Sequence, residues 1–561
     1  MKKFLLLLLL IKSYNSLFSQ NNDWFEETTV YQIYPRSFKD SDGDGIGDIQ
    51  GIINKLDYIK SIGFETIWIS PFFKSPQGDF GYDISDYYSI DSTYGNIKDV
   101  ERLIDEVHKR GMKIIFDLVL NHTSNQHPWF LESKSSKDNP KSNWYVWKDG
   151  NGKKPPNNWV NAINKKGWNY SQERDQWYYS SFLNFQPDLN WRNPEVKKEM
   201  FNIIKYWFNK GVDGYRLDIF NCIMEDSLFR DNPKKFLLLP SRDGMTAKKQ
   251  FKKYNINHPD NIKLANELRA LIDSYSNPKR FLIGEAFGPI DNVKSLLGEN
   301  QDGLNFVFLF DMIFFDFNAK FFREITATFQ EEFPSPYNPT IVYSNHDNYR
   351  SQKRINNSLE KAKVLAVYQM TARGLPVVYY GEEIGIVNAK IKKKDALDTL
   401  SKEFNQVPTI IRKMLPVPLN RDIARTPMQW NNSENGSFTQ NNPWLKTTND
   451  IENRNVKDQL ADSSSLLNVY KNLLSIRSTS NALKKGTIEI IDKNELPKNV
   501  LAYTRKYNKE ELMVLINFSS NKKKIKINRN FNNPVYKTNI LNTIIDGFYI
   551  LKPYSSIILK K

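Results

Sequence analysis

A chain of 561 residues with a single cysteine, Cys222, cannot close an internal disulfide, so its stability must come from packing. It holds no Cys/His cluster with metal-ligand spacing, which argues against a zinc-type centre. No low-complexity tract or internal repeat interrupts it, and 40% hydrophobic residues with 13% aromatics belong to a folded chain rather than a disordered one. Long apolar runs are missing too. The N-terminal run from Phe4 to Ile11 has eight residues, where a membrane span needs about 20. With Lys2 and Lys3 before it and the small residues Ser16 and Ser19 after it, that run predicts an export signal over 1–19 and a secreted, extracellular product. The C-terminal "SSIILKK" is too short and too charged to be an anchor signal, so no membrane partner is predicted.

The formal charge of +16 is carried by scattered lysines, with short runs such as Lys392 to Lys394, which predicts a solvated basic surface and no nucleic-acid partner. Sequons at Asn169, Asn356, Asn431, Asn435 and Asn517 would permit glycosylation of an exported eukaryotic chain.

What the sequence does contain is a series of short apolar runs ending in polar or acidic residues: "TTVYQIYPR", "ETIWISP", "KIIFDLVLNH", "GVDGYRLD", "RFLIGEA", "LNFVFLFD", "TIVYSNHD" and "LPVVYYGEE". Each reads as a buried strand. Between them lie helical spacings: Ile52, Leu56 and Ile59; Val100, Leu103, Ile104 and Val107; Val196, Met200, Ile203, Ile204 and Trp207. Gly63, Gly111 and Gly211 stand where those helices should stop. Eight strands alternating with helices predict a parallel (β/α)8 TIM barrel over 20–123 and 191–481. Residues 124–190, rich in Trp, Asn and Pro, predict an inserted irregular subdomain after the third strand. Period-two runs such as "ELMVLINF" predict an antiparallel β domain over 482–561.

In such a barrel the C-terminal strand ends form the active face. Asp117, Asn121 and His122 close the third strand, Arg216 and Asp218 the fourth, Glu285 the fifth, and His346 with Asp347 the seventh. Convergent carboxylates suit glycoside hydrolysis. A retaining enzyme needs a nucleophile and a general acid about 5 to 5.5 Å apart. Arg216, two residues before Asp218 on a strand, points to the same side and would keep that carboxylate ionised.

In order along the chain, "DLVLNH", "GYRLD", "GEA" and "SNHD" resemble the four signature regions of the α-amylase family of retaining glycoside hydrolases. "QPDLN" is similar to the extra region of its oligo-1,6-glucosidase and α-glucosidase branch, and the likeness extends through "YQIYPRSFKDSDGDGIGD", "KSPQGDFGYDISDYY", "YVWKDG", "VVYYGEEIG" and "ARTPMQW", over about residues 24–480. Within that branch the chain looks most like secreted insect maltases. The resemblance implies Asp218 as nucleophile, Glu285 as general acid/base and Asp347 as transition-state stabiliser. It implies that His122 and His346 bind the glucosyl unit, that Tyr82 stacks beneath it and Arg216 orients Asp218. Asp79 and Arg425 would clamp its non-reducing end, and Phe185 would line the wall.

The implied activity is exo-acting release of glucose from maltose, short α-glucosides and sucrose, with a small saccharide as partner and no cofactor for catalysis. Ile219, where alanine, threonine or valine is usual in the family, leaves the linkage open, and "NHDNYR" departs from the usual Gln-Pro after the aspartate. Two alternatives stand beside this reading. One is a transglucosidase or sucrase with the same residues; the other is a non-catalytic relative of the transporter glycoprotein subunits, disfavoured by the retention of all three acids.

"DSDGDGIGD" spaces Asp40, Asp42 and Asp44 as at positions 1, 3 and 5 of an EF-hand loop, with Gly45 at position 6 and the Ile46 carbonyl at position 7. Gly51 occupies position 12 in place of the bidentate glutamate, so Asp48 would have to complete the shell. Similarity to a calcium-binding loop of the branch implies a structural calcium, separate from the catalytic acids.

Overall fold

The computed structural model describes residues 23–235, 245–247, 250–527 and 531–561, so the predicted export signal lies outside the described residues. All eight predicted strands form: β1 (Val30–Ile33), β2 (Thr66–Ile69), β3 (Lys113–Leu118), β4 (Gly214–Leu217), β5 (Phe281–Gly284), β6 (Phe306–Val307), β7 (Thr340–Val342) and β8 (Leu375–Tyr379). They pair in parallel in the order β6-β5-β4-β3-β2-β1-β8-β7. Thr340 bridges the remaining seam: its Oγ1 donates to the Val307 carbonyl (3.0 Å) and accepts from Leu309 N (2.9 Å). Strand alternation sorts the side chains. Val30, Ile115, Ile283, Val342 and Val377 cluster inside the barrel, while Tyr31, Ile67, Ile114, Leu282 and Val378 pack outward.

The outer layer is α1 (Leu56–Ile62), α2 (Ile97–Lys109), α3 (Pro194–Asn209), α4 (Asp260–Asp273), α5 (Ile290–Ser295), α6 (Ala319–Glu332), α7 (Leu359–Thr371) and α8 (Leu466–Thr479). Asn96 starts α2 with a capping box to Asp99; Asn193 and Pro194 start α3. Gly63, Gly111 and Gly211 each follow their helix with positive φ, as their spacing predicts. The spacing of Ile52, Leu56 and Ile59 spans two helices rather than one, because a short helix Ile49–Ile53, capped by Asp48, ends at Asn54 before α1 begins.

The insertion after β3 is more regular than its composition predicts. It contains helix Pro128–Ser135 and an antiparallel sheet of Trp147–Lys148, Trp168–Ser171 and Gln176–Tyr179. Trp159, Trp168 and Tyr179 form its core with Phe229, which comes from an unpredicted second excursion after β4. The C-terminal strands are β9 (Thr487–Ile490), β10 (Val500–Tyr507), β11 (Glu510–Asn517), β12 (Lys523–Lys526), β13 (Asn533–Lys537), β14 (Thr543–Ile545), β15 (Phe548–Leu551) and β16 (Ser556–Lys560). They make two sheets, β9-β10-β11-β16-β13 and β12-β15-β14. The larger sheet is apolar on both faces. Leu501, Tyr503, Val514 and Ile558 join the barrel core, while Val500, Met513, Leu515 and Leu559 face Ile525, Tyr549 and Leu551 of the smaller sheet. Arg505 fixes the junction by donating to the Thr371 carbonyl (2.6 Å) and the Gly486 carbonyl (2.9 Å). Among the sequons, Asn517 is buried and its Nδ2 donates to the Asn521 and Lys552 carbonyls, so it cannot carry a glycan in this fold.

Polar residues at the opposite barrel rim are structural. Asp213, just before β4 and fully buried, accepts from Ile114 N (3.0 Å) and pairs with His108 (2.7 Å), Lys113 (3.0 Å) and Arg280 (3.4 Å). Burial pushes its carboxyl up, but the His108 hydrogen bond, the Ile114 amide and Lys113 bring it below the usual aspartate range. Its contribution is therefore present above the unfolded pKa of about 3.9 and is lost as pH falls through the lower folded value. Asp213→Asn should cost about 2 kcal/mol in urea unfolding at neutral pH, less than the ~3–5 of a fully buried pair because Lys113 and His108 reach solvent. The difference from wild type should shrink in acid.

Candidate functional site

At the other rim a cavity of about 290 Å³ opens between the barrel, the insertion and the excursion after β8. Asp79, Tyr82, His122, Asp218, Glu285 and Asp347 line it, so three predicted acids meet at one place. Arg216 and Asp218 sit two apart at the end of β4, and the guanidinium joins the floor together. Its Nη1 donates to Asp218 (2.6 Å) and to Asp117 (2.8 Å), and its Nη2 donates to Glu285.

Burial and unequal charge surroundings separate the carboxyls electrostatically. Burial pushes Glu285 well above the glutamate range, and the charges of Asp218 and Asp347 add to this against the pull of Arg216. Burial likewise pushes Asp117 up to about 7, with Asp218 adding and Arg216 opposing. Asp347 goes the other way. Burial would raise it, but His346 (3.0 Å), Arg421 (3.3 Å) and Arg425 (2.9 Å) hold it well below the usual range. The site thus sets an acid whose proton is held more firmly than usual beside a carboxylate whose proton is held less firmly, the division that proton donation and charge stabilisation require.

Tyr82 lies flat on His346, with centroids 5.3 Å apart and planes 2° apart, and its hydroxyl reaches Asp117 (3.0 Å) and His346 Nε2 (2.6 Å). Gln32 Nε2 donates to His346 Nδ1 (2.9 Å), which leaves the ring proton on Nε2, toward Asp347 and Tyr82. His122 is buried with Nδ1 near Asn121 (3.2 Å), while its Nε2 has no protein partner. A buried nitrogen in that state on a cavity wall suits a ligand hydroxyl.

Three expectations need correction. Asp79 is not paired with Arg425: its Oδ1 accepts from Arg421 Nη2 (2.6 Å), and Arg421 also binds Asp398 (2.7 Å). Arg425 is turned to Asp347 and to the His346 carbonyl (2.8 Å), and does not line the cavity. Phe185 packs over Gly78 outside the cavity, and Phe182 supplies the wall. Of the four aspartates in the metal set, Asp40, Asp42 and Asp48 gather, with ligand oxygens within 4.8 Å of one another; Asp44 instead accepts from Ile46 N (2.7 Å).

The same cavity is also lined by Ile219, Cys222, Lys252, Ile256, Phe287, Asn348, Leu400, Val417 and Pro418, a set that is apolar apart from Lys252 and Asn348 and of which only Ile219 stands out in the sequence. Ile219 adopts φ 32°, ψ 47°, a left-handed conformation that a β-branched residue rarely takes and that costs on the order of 1–3 kcal/mol. Its N–H points at Glu285 (3.3 Å).

Residues 32–486 match the family of the alpha amylase catalytic domain, and 500–558 match the alpha-amylase SusG C-terminal domain. An oligo-1,6-glucosidase of Parageobacillus thermoglucosidasius is 36% identical over 88% of this chain and 90% of its own length. An alpha-glucosidase of Schizosaccharomyces pombe is 33% identical over 89% of this chain and 91% of its own. Among solved structures, the alpha-glucosyl transfer enzyme XgtA superposes with TM-score 0.85 at 32% identity, covering 96% of this chain and 100% of its own. The trehalulose synthase MutB of Pseudomonas mesoacidophila superposes with TM-score 0.87 at 30% identity, with the same coverage.

The Arg421 network makes a checkable difference between the two arginines. Arg421→Ala leaves Asp79 and Asp398 buried without their cation and should lower stability by about 3 kcal/mol in chemical denaturation. Arg425→Ala should cost clearly less, because Asp347 keeps Arg421.

Proposed function

The chain belongs to the alpha-amylase family of glycoside hydrolases, and from that premise we propose that it is an exo-acting retaining α-glucosidase. It would release glucose from the non-reducing end of maltose and short α-glucosides, sucrose included. The observation that carries this reading is Arg216 holding Asp218 and Glu285 side by side at a cavity whose lining also includes the Asp79–Arg421 pair.

In the first displacement the Asp218 carboxylate attacks the anomeric carbon while Glu285 gives its proton to the departing glycosidic oxygen. A β-linked glucosyl ester on Asp218 results. In the second, Glu285, now ionised, takes a proton from water as its oxygen attacks the same carbon and Asp218 leaves, which restores the α configuration. The ionised Asp347 faces the positive charge that develops on the ring, and Tyr82 and His122 offer a flat ring and a free nitrogen to the glucosyl unit. The Asp79–Arg421 pair, a charged clamp for terminal hydroxyls, leaves no passage for a further sugar unit in this reading.

Transfer to a sugar acceptor is the second reading, favoured by the apolar lining that Ile219, Cys222, Ile256 and Phe287 give the cavity. Products from maltose, isomaltose and sucrose at low and high substrate would divide hydrolysis from transfer. Export is proposed from the N-terminal residues alone, and sequencing the N-terminus of the mature protein would test it.

Asp40, Asp42 and Asp48 offer hard oxygen donors, and Gly45, at φ 91° with Asn442 O 2.1 Å from where a Cβ would sit, gives the turn that gathers them. Burial pushes Asp48 up, and Asp42 adds its charge, an arrangement that a cation would relieve. We propose that they hold a structural calcium that pins the β1 loop. It takes no part in the displacements.

Azide distinguishes the two catalytic carboxyls by stereochemistry. Asp218→Ala should lose nearly all turnover, and azide should rescue it to a β-glucosyl azide, the product of one inversion. Glu285→Ala with an activated aryl α-glucoside should give the α-glucosyl azide, the product of two. Because wild-type Glu285 must hold its proton, kcat/KM should fall as pH rises through its elevated pKa, and Glu285→Ala should lack that alkaline limb. Wild-type activity in Asp218→Ala, or exchanged azide products, would overturn the assignment. Chelation should lower Tm by several degrees with turnover of the still-folded enzyme nearly unchanged; prompt loss of activity without unfolding would contradict the structural role.

A further inference from the structure

The charge is less evenly spread than the scattered lysines suggest. Residues 512–561 carry nine lysines and arginines against one acid, Asp546, a net +8 that is half of the chain's +16. These residues include the whole smaller sheet, whose inner residues Ile525, Tyr549 and Leu551 pack into the β domain, so its other face looks away from the barrel.

Strand register assigns that outer face. Lys526 stands opposite Phe548, which stands opposite Ile545; Lys524 stands opposite Ile550, which stands opposite Thr543. Directly opposed residues share a face, so Lys524, Lys526, Phe548 and Ile545 form one surface over the buried Ile550. Lys524 Nζ lies 3.9 Å from the Phe548 ring centroid and Ile545 is 55% exposed. Beside it, the turn before β14 presents Ile540 at 87% exposure and Leu541 at 58%.

Those two side chains are held outward by a satisfied anchor. Asn542, fully buried, donates to the Ser556 carbonyl (3.0 Å) and accepts from Lys552 N (2.9 Å) and Ser555 Oγ (2.9 Å). A turn fixed this firmly, with two large aliphatic tips in water and leading directly into the sheet that carries Lys524 and Lys526, joins two features that are costly or neutral apart. A soluble polyanion would engage the lysines but gain nothing from the aliphatic tips. An anionic bilayer engages both, with headgroups on the ammonium groups and the tips seated at the acyl boundary.

We propose that this face docks the protein peripherally on an anionic lipid surface. The contact departs from the expectation of no membrane partner without needing a span, since among the described residues no helix is long and apolar enough to cross a membrane. It is independent of the reading of the catalytic cavity.

The test is co-sedimentation of the full chain with vesicles of phosphatidylcholine alone or with added phosphatidylserine, at low and high salt. Binding should require phosphatidylserine and weaken with salt. The double variants Ile540→Asp/Leu541→Asp and Lys524→Glu/Lys526→Glu should each bind about tenfold more weakly or worse. Both should keep wild-type hydrolysis of a soluble α-glucoside; if that substrate is not turned over, an unchanged Tm reports the fold in its place. Absence of vesicle binding, indifference to phosphatidylserine, or loss with the lysine variant alone would overturn the proposal, the last in favour of a soluble polyanion.

Discussion

Arg216 is 1% exposed and donates to Asp117, Asp218 and Glu285 at once, and those contacts exist only because three strands keep one register. Arg216 lies beside Asp117 on β3 and beside Ile283 on β5, with Glu285 two residues beyond the latter. A slip of one residue in β4 would turn the guanidinium to the other face and leave three carboxyls buried without it. Taking such ions out of water costs several kcal/mol each, and only close pairing with full hydrogen bonding offsets that. The barrel's ladder is therefore the means by which one cation serves three acids at once.

The fourth strand shows how position decides use. Asp213 and Asp218 flank the same four-residue strand. At the start, Lys113, Arg280 and a hydrogen bond from His108 surround Asp213 in a closed network that favours its ionised form. At the end, Asp218 has one guanidinium and an open cavity beyond. The same side chain is a closed brace at one rim and faces an open cavity at the other, as the layout of a parallel barrel dictates.

The strands and the strand-end acids were legible because buried parallel strands are short apolar runs and their polar terminal residues stand out against them. Arg421 was not. It meets Asp79 across 342 positions, and "RDIAR" offers two arginines four apart with nothing local to rank them; the 3-10 turn over Arg421–Ala424 decides which one faces the cavity. Phe182 and Phe185 are ambiguous in the same way, since both lie in an excursion whose path follows from tertiary packing. The insertion's small sheet was hidden because its aromatics serve a core of their own. The basic outer face became visible only when register placed Lys524 and Lys526 on one side.

Ile219 is the corner of the site where structure and chemistry pull apart. Its backbone favours glycine or asparagine, yet its side chain packs with Cys222 and Ile256 on the cavity wall. A glycine there would relax the turn and hollow that wall in one step. Ease of folding and the shape of the cavity beside Glu285 therefore pull in opposite directions at one residue.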